Sequence, residues 1–299
     1  MTKELFRFLK MNDVEYKEHL SLASISPIRI GADATAVAYP DSEIKLALLL
    51  GFLDKLKIKH KIVGRMSNLL PPDEKYDGVV IRTDRINGYS IDSNVVNVCC
   101  GMSLPHISRI LQNAGFSGFE GLSGIPGSIG GAVAGNAGAF GRQISDLLLD
   151  VKVYDRSKDC FLSLKASDLG FSYRSSSLIH SEIVITSARF KVFPSNPLTV
   201  KSEMDRCREI RLRTQPIDKA SLGSCFKRPS EDLAAAWLID KCGLKGYRIG
   251  GAQISEKHAG FIVNSGGATA SDYIALSDCA AKKVYEKYEI SLEREVEIM

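Results

Sequence analysis

Apolar residues along the chain fall into short runs of two kinds. Runs rich in Val, Ile and aromatic residues, bounded by Gly, Pro, Asn or Asp, predict strands over 28–38, 60–64, 78–82, 95–100, 147–154 and 182–192. Stretches in which apolar positions recur at helical spacing predict helices over 42–56, 104–113, 198–213, 233–242 and 271–288. Pro105 falls at the start of the second helix, where a missing N–H costs nothing. Strands cluster early and helices later, an α+β pattern. The longest apolar run, 46–53, holds eight residues, against the roughly 20 needed to cross a bilayer. With Glu43, Lys45, Asp54 and Lys55 on its flanks, it reads as an amphipathic helix on a core.

The segment 115–141 follows neither period. Glycine stands at 115, 118, 121, 124, 127 and 130, then at 131, 135, 138 and 141. Average usage is about 7%, and a run this short with one proline, Pro126, is not collagen. Such backbone turns tightly or lets another backbone or a ligand come very close. Successive exposed N–H groups form concave anion sites, and a helix start beyond them adds its dipole. The small residues Ser123, Ser128 and Ala132 keep the surface accessible. Two readings stay open on composition: a cradle for a phosphate-bearing cofactor, or a tight structural turn. No two glycines are separated by a single residue, so G-x-G-x-x-G does not occur, and G-x-x-x-x-G-K-[ST] is also missing. A nucleotide cofactor would be held by another scaffold.

A length of 299 residues suits two domains, and the turn-rich Pro-Ser-Asn-Pro at 194–197 is the candidate boundary. The helix beyond it carries Arg206, Arg208, Arg211 and Arg213, read mainly as a solvated face. The net charge of +4, from 39 basic against 35 acidic residues, fits an anionic small molecule and gives no case for nucleic acid. Seven scattered cysteines without a C-x-x-C pair point to a reduced cytoplasmic protein without structural zinc. The first twenty residues have no apolar core of a signal peptide.

Four islands could carry chemistry. The first, 63–69, runs from a strand into a loop with Ser67 and Asn68 at its tip, suited to phosphate or ribose or merely to capping a turn. The second, 170–176, holds Tyr173-Arg174 between serines; a guanidinium presents fixed donors to an anion, or lies in solvent on an edge strand. In the third, 222–229, Gly223 frees the backbone, Ser224 offers a hydroxyl, and Lys227 and Arg228 supply charge. Ser224 would need a relay or a neighbouring charge to act as an acid, and no G-x-S-x-G elbow is present. In the fourth, 292–299, Glu293, Glu295 and Glu297 alternate and would share one face of a strand. His258 is the one histidine in a motif-like setting, with a satisfied structural role as its plain alternative.

Together, and in this order, these islands resemble the flavin-dependent UDP-N-acetylenolpyruvoylglucosamine reductases of peptidoglycan synthesis, the MurB family. The resemblance runs from residue 28 to Glu295, and its most specific pieces are GLSGIPGSIGGAVAGNAGAFG, YRSS, GSCFKRP and WLIDKCGLKGYRIGGAQISEKHAGFIVN. It implies an α+β fold: a two-part FAD-binding domain of the vanillyl-alcohol-oxidase/PCMH-like kind over 1–196, with lobes near 20–85 and 86–196. A smaller α+β substrate-binding domain would occupy 197–299, its last strand returning to the active site. The shorter of the two family types, lacking an extra substrate-covering loop, is implied. Non-covalent FAD would be contacted by Gly64, Arg65, Ser67, Asn68, Leu69, Gly101, Gly124, Ile125, Pro126, Gly127, Ser128, Gly130, Gly131, Asn136, Ala137 and Gly138, with NADPH as hydride donor.

By the same resemblance Arg174 would stabilise an enolate-like charge, Ser224 would donate a proton, and Glu295 would assist polarisation or proton relay. Tyr173, Lys227, Arg228 and His258 would face the UDP-sugar. A bacterial cytoplasmic monomer is implied, with no metal, nucleic acid or membrane partner. Arg65 and Met66 stand where the family usually has glycines, Phe140 where tyrosine is frequent, and Thr214 where a basic residue is common. An FAD-linked small-molecule oxidase of the same fold group is one rival reading, though it needs neither GSCFKRP nor the terminal glutamate. A non-catalytic UDP-sugar-binding module is another, against which the joint presence of Arg174, Ser224 and Glu295 argues.

Overall fold

The computed structural model describes residues 2–179 and 181–299. The expected helices form at Glu43–Lys55, Leu104–Asn113, Pro197–Thr214, Ala235–Lys241 and Ala270–Tyr288. In Glu43–Lys55 the residues Leu46, Leu49, Leu50 and Leu53 are buried at helical spacing, and Ser42 caps the start by accepting from the Lys45 N–H. Five expected strands appear as His60–Val63, Tyr76–Arg82, Val95–Cys99, Leu148–Asp155 and Ile183–Lys191. The strand expected over 28–38 is shorter, Asp33–Tyr39, because Arg29 and Gly31 both take positive φ (59° and 128°) and break the extended backbone before it. Ile28 and Ile30 are nonetheless buried, in a different core from that strand.

The chain divides into two compact units that are not contiguous in sequence. The first comprises Met1–Glu18, Ala36–Arg65 and Asp77–Glu209; the second comprises His19–Thr35, Met66–Tyr76 and Ile210–Met299. A single cut at 196/197 therefore does not describe the packing. Most of the helix Pro197–Thr214 goes with the first unit, and two early segments go with the second. The physical reason is burial: Ile28, Ile30 and Leu70 lose their exposure only in the apolar cluster built by Leu222, Phe226, Leu238, Tyr273 and Val296.

The first unit is centred on an antiparallel five-stranded sheet in the order Cys160–Lys165, Leu148–Asp155, Ile183–Lys191, Val95–Cys99, Tyr89–Asp92. A four-stranded sheet runs Glu15–Ser21, Asp33–Tyr39, Tyr76–Arg82, His60–Val63, the last two parallel. The glycine-rich segment contains a short helix, Ile129–Ala134, opened by Ser128, whose hydroxyl accepts from the Gly131 N–H. The second unit holds a four-stranded sheet of short strands, Ser221–Ser224, Phe261–Asn264, Ala252–Ile254 and Arg248–Ile249, antiparallel at each pairing. The long helix Ala270–Tyr288 packs on it and begins with a reciprocal capping box between Thr269 and Asp272. Asp73 caps it again, accepting from the N–H groups of Ala270 (2.6 Å) and Ser271 (2.8 Å).

Candidate active site

The second island meets the glycine-rich segment inside the first unit. Ser172 and Ser175 exchange backbone hydrogen bonds at 3.1 and 3.2 Å, making a tight hairpin with Tyr173 and Arg174 at its tip. Arg174 takes φ of 55°, and holding a side-chain-bearing residue there costs about 1 kcal/mol or more. The strain is held by three bonds to the glycine-rich turn. Asn136 Nδ2 donates to the Ser172 carbonyl (3.0 Å), Arg174 Nη2 donates to the Gly138 carbonyl (2.9 Å), and Ser176 Oγ donates to the Ala134 carbonyl (2.7 Å). Asn136 is 1% exposed, and its Oδ1 accepts from the Ser145 N–H at 3.0 Å. The Arg174 guanidinium lies 5.3 Å from the Tyr173 ring centroid, and Tyr173 itself is exposed.

Within the glycine-rich segment, Gly130 fits the reading as a tight structural turn. Gly130 donates its N–H to the Cys100 carbonyl at 2.8 Å, and a Cβ there would stand 3.1 Å from the Cys100 Cβ. Gly101 packs more tightly still; a Cβ would fall 1.8 Å from the Thr83 carbonyl oxygen. These two glycines serve backbone-to-backbone packing. Gly64 differs, because a Cβ there would lie 2.2 Å from Ser128 Oγ, so its bareness is what lets the start of the 64–68 loop lie against the N-cap of Ile129–Ala134. Met66 in that loop takes φ of 55°, the conformation a glycine would adopt without strain. Among the described residues none accepts a hydrogen bond from the N–H of Arg65, Met66, Ser67 or Asn68. Successive N–H groups without an acceptor around a left-handed residue suit an anion, which fits a phosphate-bearing cofactor.

The third and fourth islands meet in the second unit. The segment after Ser224 runs antiparallel to the C-terminal segment: Lys227 N–H donates to the Glu293 carbonyl (2.9 Å), Phe226 bridges Arg294, and Glu295 N–H donates to the Cys225 carbonyl (2.8 Å). Glu295 thus lies across from Cys225, one residue along from Ser224. Beyond it Glu297–Ile298 pairs in parallel with Leu69–Leu70. The C-terminal segment therefore changes partner and is not the single regular strand that the alternation of Glu293, Glu295 and Glu297 suggested. Glu293 is exposed and forms an ion pair with Lys227 Nζ at 2.6 Å, while Glu295 is half-buried. Arg228 Nη1 donates to the Glu231 carbonyl at 3.4 Å.

His258 joins the same group through its turn. Ser255 Oγ accepts from the N–H groups of Lys257 and His258, and the carbonyl of Gly260 accepts from the Cys225 N–H at 2.7 Å. His258 Nδ1 accepts from the Gly260 N–H at 3.2 Å, which leaves the ring proton on Nε2. Burial, with the positive charge of Lys245 beside it, pulls the His258 pKa below its ordinary 6.5. Burial also pushes the Cys225 thiol up to about 12, so it is an inert packing group beside Ser224.

Sequence reasoning missed the role of Arg294, whose side chain reaches the helix Ala270–Tyr288, and of Asn136 as the knot between glycine-rich turn and hairpin. The only available signal for Asn136 was a lone amide among small residues.

Residues 34–158 match an FAD binding domain, and residues 215–299 match the C-terminal domain of UDP-N-acetylenolpyruvoylglucosamine reductase. Phl p 4.0202, a glucose dehydrogenase, shares the fold alone (TM-score 0.52, 13% identity, 65% of this chain and 44% of that one). Together these define an FAD-dependent oxidoreductase of α+β fold. The UDP-N-acetylenolpyruvoylglucosamine reductase of Streptococcus pneumoniae (strain JJA) is 38% identical over 297 residues, 99% of this chain and 97% of its own. The crystal structure of the Thermus caldophilus reductase, MurB, has a TM-score of 0.80 at 31% identity, covering 95% of this chain and 98% of that one. The chain belongs to the UDP-N-acetylenolpyruvoylglucosamine reductase (MurB) family.

Proposed function

We propose that Arg174, Ser224 and Glu295 carry the chemistry of this reductase, whose reaction converts UDP-N-acetylglucosamine enolpyruvate and NADPH to UDP-N-acetylmuramate in peptidoglycan precursor synthesis. Bound FAD would supply the hydride chemistry, by which the hydride of NADPH would reach the terminal carbon of the enolpyruvyl group. Negative charge then develops toward the substrate carboxylate as an enolate-like species. Arg174, fixed by the hairpin and by its bond to Gly138, meets that charge, and a preorganised cation in a dry site contributes roughly several kcal/mol. Ser224 delivers the proton to the carbon bearing the ether oxygen. A serine hydroxyl is a weak acid, so the neighbouring Glu295 serves to polarise it or to relay the proton.

The observation that supports this reading is the bond from Glu295 N–H to the Cys225 carbonyl, which lays the backbone of Glu295 across from the residue after Ser224, 71 residues away in sequence from that serine.

Binding is proposed as follows. The free N–H groups of 65–68 take cofactor phosphate, with Leu69 closing the loop, and Gly124, Ile125, Pro126, Gly127, Ser128 and Gly131 contact the same cofactor. Asn136, Ala137 and Gly138 complete the contacts. Gly101 and Gly130 act by permitting close packing, since the Gly130 N–H is already used. Tyr173, Lys227, Arg228 and the Nε2–H of His258 face the UDP-sugar; a pyrophosphate would compete with Glu293 for Lys227. A cytoplasmic bacterial monomer acting on small molecules alone goes with this reading, supported by seven free cysteines.

An anaerobic visible spectrum tests it. Flavin absorbance should bleach with NADPH and return with UDP-N-acetylglucosamine enolpyruvate. Bleaching that only oxygen reverses would instead indicate an oxidase, and a protein that stays colourless after FAD is supplied would indicate a binding module.

A further inference from the structure

Arg294 is the residue next to Glu295, and its side chain is committed to a different element. Its Nε donates to Ser277 Oγ at 2.8 Å, and its Nη2 pairs with Asp278, both on the helix Ala270–Tyr288. Ser277 is fully buried and donates its own proton to the Ile274 carbonyl at 2.8 Å, so its lone pairs are held toward Arg294. A guanidinium gripped at two of its nitrogens has a fixed plane. Arg294 also faces Phe226 across the bridge that lays the C-terminal segment beside Ser224–Lys227. In extended backbone neighbouring side chains leave on opposite faces, so a rotation of Arg294 about the strand axis turns Glu295 with it.

We propose that Arg294 is a positioning residue for the reduction: its clamp onto Ser277 and Asp278 sets the rotation of the C-terminal segment and thereby aims the Glu295 carboxylate at Ser224. This rests on the role given to Glu295 above. Glu295 has backbone bonds on both sides, its N–H to Cys225 and its carbonyl from Asn68. Those bonds fix its height in the sheet; the clamp on its neighbour fixes its roll. A catalytic group displaced by about 1 Å loses on the order of a hundredfold in rate, which makes a residue outside the reaction centre kinetically visible.

The test uses the flavin-loaded enzyme and four variants: Arg294→Met, Arg294→Lys, Glu295→Gln and the double variant Arg294→Met/Glu295→Gln. Arg294→Met should lower kcat by about tenfold or more, leave KM for both substrates within about twofold, and slow flavin reoxidation by the enolpyruvyl sugar. Flavin reduction by NADPH should keep its rate, which a general loss of structure would not spare. Arg294→Lys, which can still reach one acceptor, should recover part of the loss. In the Glu295→Gln background, Arg294→Met should add nothing, because its effect passes through that carboxylate. Asp278→Asn, altered at the exposed end of the clamp, should slow the same half-reaction more mildly. A slow Glu295→Gln combined with a normal Arg294→Met, or with losses that multiply in the double variant, would overturn the positioning role alone. A fully active Glu295→Gln would overturn the role of Glu295 and this inference with it.

Discussion

Asn68 donates from its side-chain amide to the main-chain carbonyl of Glu295 at 2.9 Å, joining residues 227 apart in sequence. The Glu297 N–H returns to the Asn68 carbonyl at 3.0 Å. A loop expected to serve the cofactor thus also holds the segment that bears the terminal carboxylate, and the amide is occupied there while the Asn68 N–H stays free for a phosphate. Asn68→Ala should lower stability by about 1 kcal/mol in denaturant unfolding, the ordinary net contribution of one such bond. It should also slow reoxidation of reduced flavin by substrate while the NADPH half-reaction is kept. Asn68→Asp should be worse, since a carboxylate would face the Glu295 carbonyl. Wild-type behaviour of both variants would mean that the contact holds nothing of consequence.

Ser224→Ala tests the proposed proton donor. Its neighbours Cys225 and Phe226 are buried, and the Cys225 N–H remains bonded to Gly260, so the strand should keep its place. NADPH should bleach the flavin at the normal rate, and the enolpyruvyl sugar should fail to restore it, a loss of about 100-fold or more on the scale of general acid catalysis. Stopped-flow absorbance reads both steps. Normal turnover would remove Ser224 from the chemistry.

The packing of Gly64 on Ser128 gives a suppressor test. In Gly64→Ala the new methyl would stand 2.2 Å from Ser128 Oγ and 3.2 Å from its Cβ, so Ser128 would have to leave its capping position. Overpacking of this kind costs about 1–3 kcal/mol, and flavin affinity should fall with it. Ser128→Gly alone should cost only about a few tenths of a kcal/mol, because glycine is a tolerated N-cap. The pair Gly64→Ala/Ser128→Gly should recover most of the lost melting temperature and flavin content. If the double variant is no better than Gly64→Ala, the clash is elsewhere.

Much of this fold is readable in the chain. Leu46, Leu49, Leu50 and Leu53 announce a helix because one element buries one stripe, and the span 42–56 that the pattern predicts agrees with Glu43–Lys55 to within a residue at each end. The four-stranded sheet of the second unit was not foreseen. Its strands run two to four residues, too short for a period-2 pattern to register, and their partners are set by tertiary packing. The islands YRSS and GSCFKRP stand out by composition, whereas the bonds that hold them come from groups with no local signature: Asn136, the Gly138 carbonyl, the Gly260 carbonyl. Discontinuous units were equally hidden. Nothing about Ile28 or Leu70 as residues tells which of two apolar clusters will bury them.

His258 supplies a pH test whose sign follows from burial. Its folded pKa lies below the ordinary 6.5, first because burial disfavours the imidazolium and then because Lys245 repels it. An unfolded chain titrates near 6.5. Above that pH both states are neutral and the residue adds no pH dependence. As pH falls through 6.5 the unfolded chain takes up a proton that the folded chain refuses, so stability declines until the folded pKa is reached. His258→Leu should remove this component, so the variant gains on the wild type between pH 7.5 and 5.5 in parallel melts. The imidazole Cε1 proton should titrate below 6.5 by NMR, and Lys245→Met should move that midpoint upward. A midpoint at or above 6.5 in the wild type would mean that the ring is hydrated and free to act as a cation toward the substrate, in place of the proposed neutral Nε2–H donor.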